Sequence, residues 1–186
     1  QKSLSGRLTS LKSNYTEAPR AIWSGGLLFL ISRSVRAILR KNVGGLFMEY
    51  RKFDNTYIVR LDPGEEILEQ VKALSLKEGI CLATVQGLGA VNDLTLGVFK
   101  PDEKKYYANS FQGYYEIVSL TGTVSTMDGE FYCHLHLSAG DETGRVVGGH
   151  LNKAVISATA ELVVTVIAGT VDRAYSPEIG LNLVKF

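Results

Sequence analysis

The chain has 186 residues, 45% apolar and 21% charged, with a formal net charge of +1 at pH 7. Such a composition suits one folded domain with a sizeable core and excludes a disordered chain. Two cysteines, Cys81 and Cys133, are too few for a disulfide scaffold; both sit in apolar, strand-like surroundings, which predicts buried, reduced thiols and a cytoplasmic location.

The charge is unevenly divided. Residues 1–47 carry eight Lys/Arg against Glu17 alone, a net of +7, while residues 48–186 carry twelve Lys/Arg against eighteen Asp/Glu, a net of −6. The basic segment shows no clean period. Its apolar run AIWSGGLLFLI is about half the roughly 20 residues that span a bilayer. That run starts past residue 20 with no small-residue cleavage site after it, unlike a signal peptide. Ile31, Val35 and Leu39 share a face opposite Arg33, Arg36 and Arg40, so an amphipathic surface helix over 31–39 is one expectation. The other is a translated leader. Gly44–Met48 back-translates as GGA-GGT-TTA-TTT-ATG, a ribosome-binding GGAGG ahead of a start codon, which makes Met48 the initiator and leaves residues 1–47 outside the fold.

From Met48 the elements follow in order. MEYRKFDNTYIVRLD reads as short strands around the turn pair Asp54-Asn55. In DPGEEILEQVKALSLKEG, Asp62 is the expected N-cap and Pro63 the first helical position, with Glu65 and Glu66 at the positive end of the dipole. Ile67, Leu68, Val71 and Leu74 form the inward stripe, and Gly79 ends the helix. After it the chain is β-rich. ICLATVQGLGAV reads as a buried strand entering a Gly-rich turn, and KPDEK as a turn between strands. GYYEIVSLTGTVSTMDGEFYCHLHLSAG reads as a hairpin about Asp128-Gly129, followed by GRVVGGHL and one or two strands over AVISATAELVVTVIAGTV. One main helix among about seven strands predicts an α+β domain built on a mostly antiparallel sheet.

All three histidines, His134, His136 and His150, fall within CHLHLSAGDETGRVVGGHL. On a strand, His134 and His136 share a side, with Cys133, Leu135 and Leu137 facing away. A His-x-His pair at that separation can converge on one ion. If the two strands pair about Glu142, His150 lies across from His134; a one-residue slip would put it on the other face, and Gly148-Gly149 could supply a correcting bulge. The simpler alternative is a half-buried histidine pair satisfied by hydrogen bonds. Glu116 in YYEIVSL shares a strand face with Val118 and Leu120, an unusual place for a carboxylate. It is either a catalytic acid/base or partner of a metal site, or a Glu at a strand end or trimer interface bonded to Arg or backbone groups. Glu161 raises the same question; Arg60 and Arg145 are candidate anion partners, and Met127 and the Tyr pairs read as surface and core residues.

GYYEIVSLTGTV, HLHLS and GRVVGGHLNKAVISATAELVV, preceded by RLDPGEEILEQV and VQGLGAV, resemble the plants-and-prokaryotes conserved (PPC) domain over about Met48–Phe186. In plants that domain follows AT-hooks; in bacteria and archaea it usually stands alone. The resemblance implies a homotrimer of sheet-and-helix subunits and a DNA-binding or regulatory role. It also implies a divalent metal, zinc above all, at His134, His136 and His150, as in some prokaryotic relatives. Acetolactate decarboxylases, of related fold, use a similar His-x-His…His zinc site, although their last spacing differs. The acidic charge of residues 48–186 runs against strong DNA binding, which depends on Lys/Arg neutralising phosphates. KPDEKK is the only small basic cluster there, and there is no AT-hook core. Three functions stay open: a DNA-associated regulator, a zinc enzyme acting on a small carboxylate or ester with Glu116 as acid/base, and a small-ligand sensor.

Overall fold

Asp54 and Asn55 turn the chain between β1 (Glu49–Phe53) and β2 (Thr56–Leu61), as the turn pair predicts, with Asp54 in the left-handed region at φ 52°. The computed structural model describes residues 48–186; the basic segment 1–47, with the expected leader and the candidate surface helix over 31–39, lies outside the described residues. Beyond β2 come helix α1 (Ile67–Glu78), β3 (Ala83–Lys100), β4 (Lys105–Met127), β5 (Glu130–Gly140) and β6 (Val146–Val166). A short pair, β7 (Asp172–Ser176) and β8 (Leu181–Lys185), ends the chain. The main sheet is antiparallel, in the order β1-β2-β6-β3-β4-β5, and β6 pairs with β5 as well. Strands β3, β4, β5 and β6 therefore close on one another like a small barrel. The α+β class and the antiparallel sheet are as predicted; β7–β8 forms a separate two-stranded sheet.

One expected break is absent. Gly87–Ala90, which reads as a turn, is bulged strand within β3, with register shifts against β4 and β6. A Cβ on Gly89 would stand 2.4 Å from the Thr159 carbonyl oxygen, so glycine serves close approach of β6 here rather than chain reversal. KPDEK does turn, through the single 3₁₀ turn Pro101–Glu103, and Asp128-Gly129 makes the β4–β5 hairpin.

Helix α1 starts later than Asp62 and Pro63 suggest. Its N-cap is Glu66, whose carboxylate accepts the Glu69 N–H at 2.8 Å and, through the other oxygen, the Ala154 N–H of β6 at 2.8 Å. Gly64 N–H donates to Ile156 O, and Ile156 N–H to Glu65 O, both at 2.9 Å. Residues 62–65 make a turn, closed by Glu65 N–H to Asp62 O at 3.2 Å, and the two bonds to Ile156 tie that turn to β6 and override the local capping signal. Replacing Glu66 with alanine is expected to cost about 2 kcal/mol, one helix cap plus one stranded amide, read as a lower urea midpoint. At the other end Gly79 caps the helix in the left-handed region, at φ 65°.

Ile67, Val71 and Leu74 of α1 join Leu135 and Leu137 of β5 and Leu151 of β6 in one buried core. Fully burying each such side chain is worth roughly 1.5–3 kcal/mol. Strand alternation then sends His134, His136 and His150 to the face away from the helix.

The thiols differ from expectation. Cys81 is exposed, because Ile80 rather than Cys81 enters the core after the Gly79 cap. Cys133 is half-buried, and burial pushes its thiol up to about 12. Since the thiolate is the nucleophile, an alkylating reagent at pH 8 is expected to label Cys81 promptly and Cys133 only on unfolding, read by peptide mass spectrometry.

Candidate metal centre

Asp141 fixes the register that assembles the histidines. Its side chain accepts hydrogen bonds from Thr143 N–H (2.8 Å), the Thr143 hydroxyl (2.6 Å) and Arg145 N–H (3.1 Å). Its own N–H donates to Arg145 O at 2.9 Å, so the β5–β6 connection centres on Thr143. His150 consequently pairs with His136, not with His134 as a loop centred on Glu142 would give. The displacement is one of two residues, so the face is preserved. β5 and β6 remain in regular register through Gly148 and Gly149. The irregularity of β6 nearest His150 lies instead at Asn152, opposite the Thr95/Leu96 step of β3.

The three rings converge. His134 and His136 bring their Nε2 atoms to 3.2 Å, and each histidine offers one nitrogen such that all three lie within 4.8 Å of one another. Ring centroids are 5.0–5.6 Å apart. Tetrahedral Zn–N bonds of 2.0–2.1 Å need nitrogens about 3.3 Å apart; the His134/His136 pair already meets that, and His150 offers a nitrogen within 4.8 Å of the other two ligand atoms. Among the described residues this is the one cluster of at least three His, Cys, Asp or Glu side chains placed to hold a metal ion.

Electrostatics favours neutral donors. His134 is pushed down to about 4 by burial first, then by His150, Arg173 and His136; burial and His136 also lower His150. In metal-free protein the folded state therefore binds fewer protons than the unfolded chain once pH drops below 6.5. The stability that comes with neutral His134 is complete above 6.5, declines as pH falls, and is gone only below about 4. A urea midpoint of chelator-treated protein that falls across this window, and falls less for His134→Gln, is the expected result.

The imidazoles lie at the wall of a cavity of about 870 Å³. Val98, Phe99, Tyr106, Tyr132, Leu181 and Leu183 supply much of its apolar lining, and Arg173 and Asn152 its polar groups. Tyr106 meets the His150 ring edge-on at 5.9 Å and donates to Asn152 Oδ1. The cavity wall contributed by β7–β8, and Arg173 with it, escaped the sequence reading. The signal was present as RAYSPEIGLNLV, two short β-prone runs about a Pro-to-Gly turn.

Other candidates lie elsewhere. Glu116 is exposed opposite Gly140 and is not among the residues lining the cavity. A bulge between Ile117 and Ser119 leaves Glu116 and Val118 outside while Leu120 turns inward, so the three do not share a face as simple alternation suggests. Glu161 is exposed opposite Arg60, whose guanidinium pairs with Asp62 at 3.1 Å and Glu49 at 3.2 Å. Arg145 is exposed in the β5–β6 connection.

An antiparallel α+β sheet bearing a strand-borne histidine triplet defines the class of protein. The chain belongs to the Plants and Prokaryotes Conserved (PCC) domain family, also abbreviated PPC, whose sequence model matches residues 48–168. It resembles the structure of a proposed DNA-binding protein from Bacteroides thetaiotaomicron (34% identity, TM-score 0.73), covering 75% of this chain and 97% of that one. A PPC protein from Pyrococcus horikoshii is 31% identical, with TM-score 0.65 and coverage of 77% and 98%. A metal-containing protein from Archaeoglobus fulgidus is 29% identical, with TM-score 0.66 and coverage of 77% and 100%. No curated protein matches the chain. Among the described residues, no helix is long and apolar enough to cross a membrane.

Proposed function

We propose that this is a stand-alone PPC-domain protein that binds one divalent metal ion, zinc for preference, through His134, His136 and His150, and presents it to a small ligand. The observation that carries this reading is the convergence of three imidazole nitrogens within 4.8 Å on the wall of a cavity of about 870 Å³. The metal-containing Archaeoglobus fulgidus relative supports it. Nitrogen donors suit zinc, and three protein ligands match its open, ligand-accepting sites rather than its closed structural ones. A bound ion would supply Lewis acidity at that open position. Metal analysis of protein purified without a His-tag is expected to find about one ion per chain; finding none would defeat the reading. Glu116→Gln is expected to leave that content unchanged, because Glu116 stands outside the cavity of its own chain.

Two relatives described as proposed DNA-binding proteins support a second reading, association with DNA, to which a regulatory role would belong. Its electrostatics is modest. Lys100 pairs with Glu103 at 3.0 Å, and Lys104 donates to Pro177 O at 2.8 Å, so two lysines of KPDEKK already have local partners. Fluorescence anisotropy of the full chain with duplex DNA at low and physiological salt separates the readings: DNA association requires binding that weakens steeply with salt. A homotrimer belongs to the same proposal, as does a cytoplasmic location. Exposed Val118 and Val146 flank Gly140 as an apolar patch that a second copy could cover. Light scattering is expected to give three times the chain mass of 20.3 kDa.

A further inference from the structure

Arg173 is a buried cation beside the histidines, only 7% exposed. Its Nε donates to Ser125 Oγ at 2.9 Å, its Nη1 to Asn182 O at 3.1 Å, and its guanidinium lies 4.8 Å over the Tyr132 ring. Every one of these partners is neutral. Among the described residues no carboxylate forms an ion pair with it. A buried guanidinium without an acidic partner is costly unless something else supplies the negative charge. Arg173 also lines the same cavity as His134, His136 and His150, which puts its positive charge and the three imidazoles on one space. A guanidinium has five N–H donors, and the two bonds above leave others for a cavity occupant. The remaining wall is apolar and in part uncovered: Val98 is 56% exposed, Leu181 39% and Leu183 41%. A lone inorganic anion would leave that surface wet. Residue 173 also falls beyond the family match at 48–168 and enters the site only through the β7–β8 hairpin.

We infer that Arg173 and the metal centre together bind a small organic carboxylate, its charged head between the guanidinium and the ion and its apolar body against Val98, Leu181 and Leu183. The inference rests on the metal reading for one of its two anchors; Arg173 supplies the other. The planar fork of Arg173 matches a carboxylate better than a lysine ammonium does.

The test uses the full chain, zinc-loaded and chelator-stripped, titrated by calorimetry with benzoate, with its uncharged isostere benzamide, and with inorganic phosphate. Benzoate is expected to bind the zinc form at least about tenfold more tightly than either comparison compound. Arg173→Lys is expected to weaken benzoate about tenfold or more at unchanged zinc content and melting temperature. Should Arg173→Lys fail to melt cooperatively, the benzoate-to-benzamide preference of stripped wild-type protein decides, since only Arg173 then provides it. Equal affinity for benzoate and benzamide, tighter binding of phosphate than of benzoate, or wild-type binding by Arg173→Lys each overturns the inference. Zinc retained without benzoate binding overturns it and spares the metal reading. Benzoate binding that depends on Arg173 in a protein that takes up no zinc upholds the carboxylate site and removes the metal.

Discussion

Replacing His134 and His136 together with alanine is expected to abolish metal binding and to leave the fold standing. Four-ligand zinc sites are worth about 10–16 kcal/mol, or roughly 2.5–4 kcal/mol per ligand. Losing two of three ligands should therefore weaken binding by roughly four to six orders of magnitude. The fold survives because the same strand carries its core on the other side: Leu135 is 0% exposed and Leu137 2%, whereas both imidazoles point away. Deleting His134 also removes a group that burial holds far from its ordinary protonation. The metal-free variant is thus expected to melt within a few degrees of metal-free wild type, while Leu135→Ala should cost about 2–5 kcal/mol. Thermal melts with zinc and with chelator give the second check. Zinc raises the wild-type midpoint by binding only the folded state, and the variant should show no such rise. A double variant that still carried one ion per chain would place the metal elsewhere.

The sequence was informative where one physical rule acts locally. Alternation alone put His134 and His136 on one face and Leu135 and Leu137 on the other, and Asp128-Gly129 marked its hairpin. Legibility failed where tertiary bonds decide. Asp62 looked like a better cap than Glu66, but Gly64 and Glu65 are bonded to β6, which no local signal reports. Gly87 and Gly89 looked like a turn because glycine serves turns and close strand approach equally well. The register of His150 depended on which residue of the DETG connection organises the loop. Asp141 does so through three side-chain hydrogen bonds, which moved the centre one residue beyond Glu142. Arg173 was hardest to see, since its meaning comes from a hairpin folding against strands some forty residues earlier in the chain.

Substituting Gly149 with alanine is expected to damage stability and metal affinity together, whereas alanine at Gly148 should be tolerated. A Cβ on Gly149 would lie 2.6 Å from the carbonyl oxygen of Gly97, backbone against backbone, so no side chain can rotate out of the way. β6 would have to move off β3 where His150 pairs with Gly97. Overpacking of this kind typically costs about 1–3 kcal/mol. His150 is the next residue and would be carried away from the His134/His136 pair. With one of three ligands displaced, metal affinity should fall by roughly a hundredfold or more, taking roughly 2.5–4 kcal/mol per ligand. At Gly148 the nearest atoms to a new Cβ are Ser138 Cβ at 3.2 Å and Leu137 O at 3.3 Å, a crowding that a shift of a few tenths of an ångström relieves. Gly148→Ala is therefore expected to change stability by less than about 1 kcal/mol and to keep its metal. Urea melts and chelator competition on the two variants measure both quantities. If Gly149→Ala lost stability but kept full metal affinity, His150 would not be a ligand, and the ion would rest on His134 and His136 with cavity water. If both quantities fell together, the close approach of β6 to β3 at Gly149 would be what sets the third ligand in place.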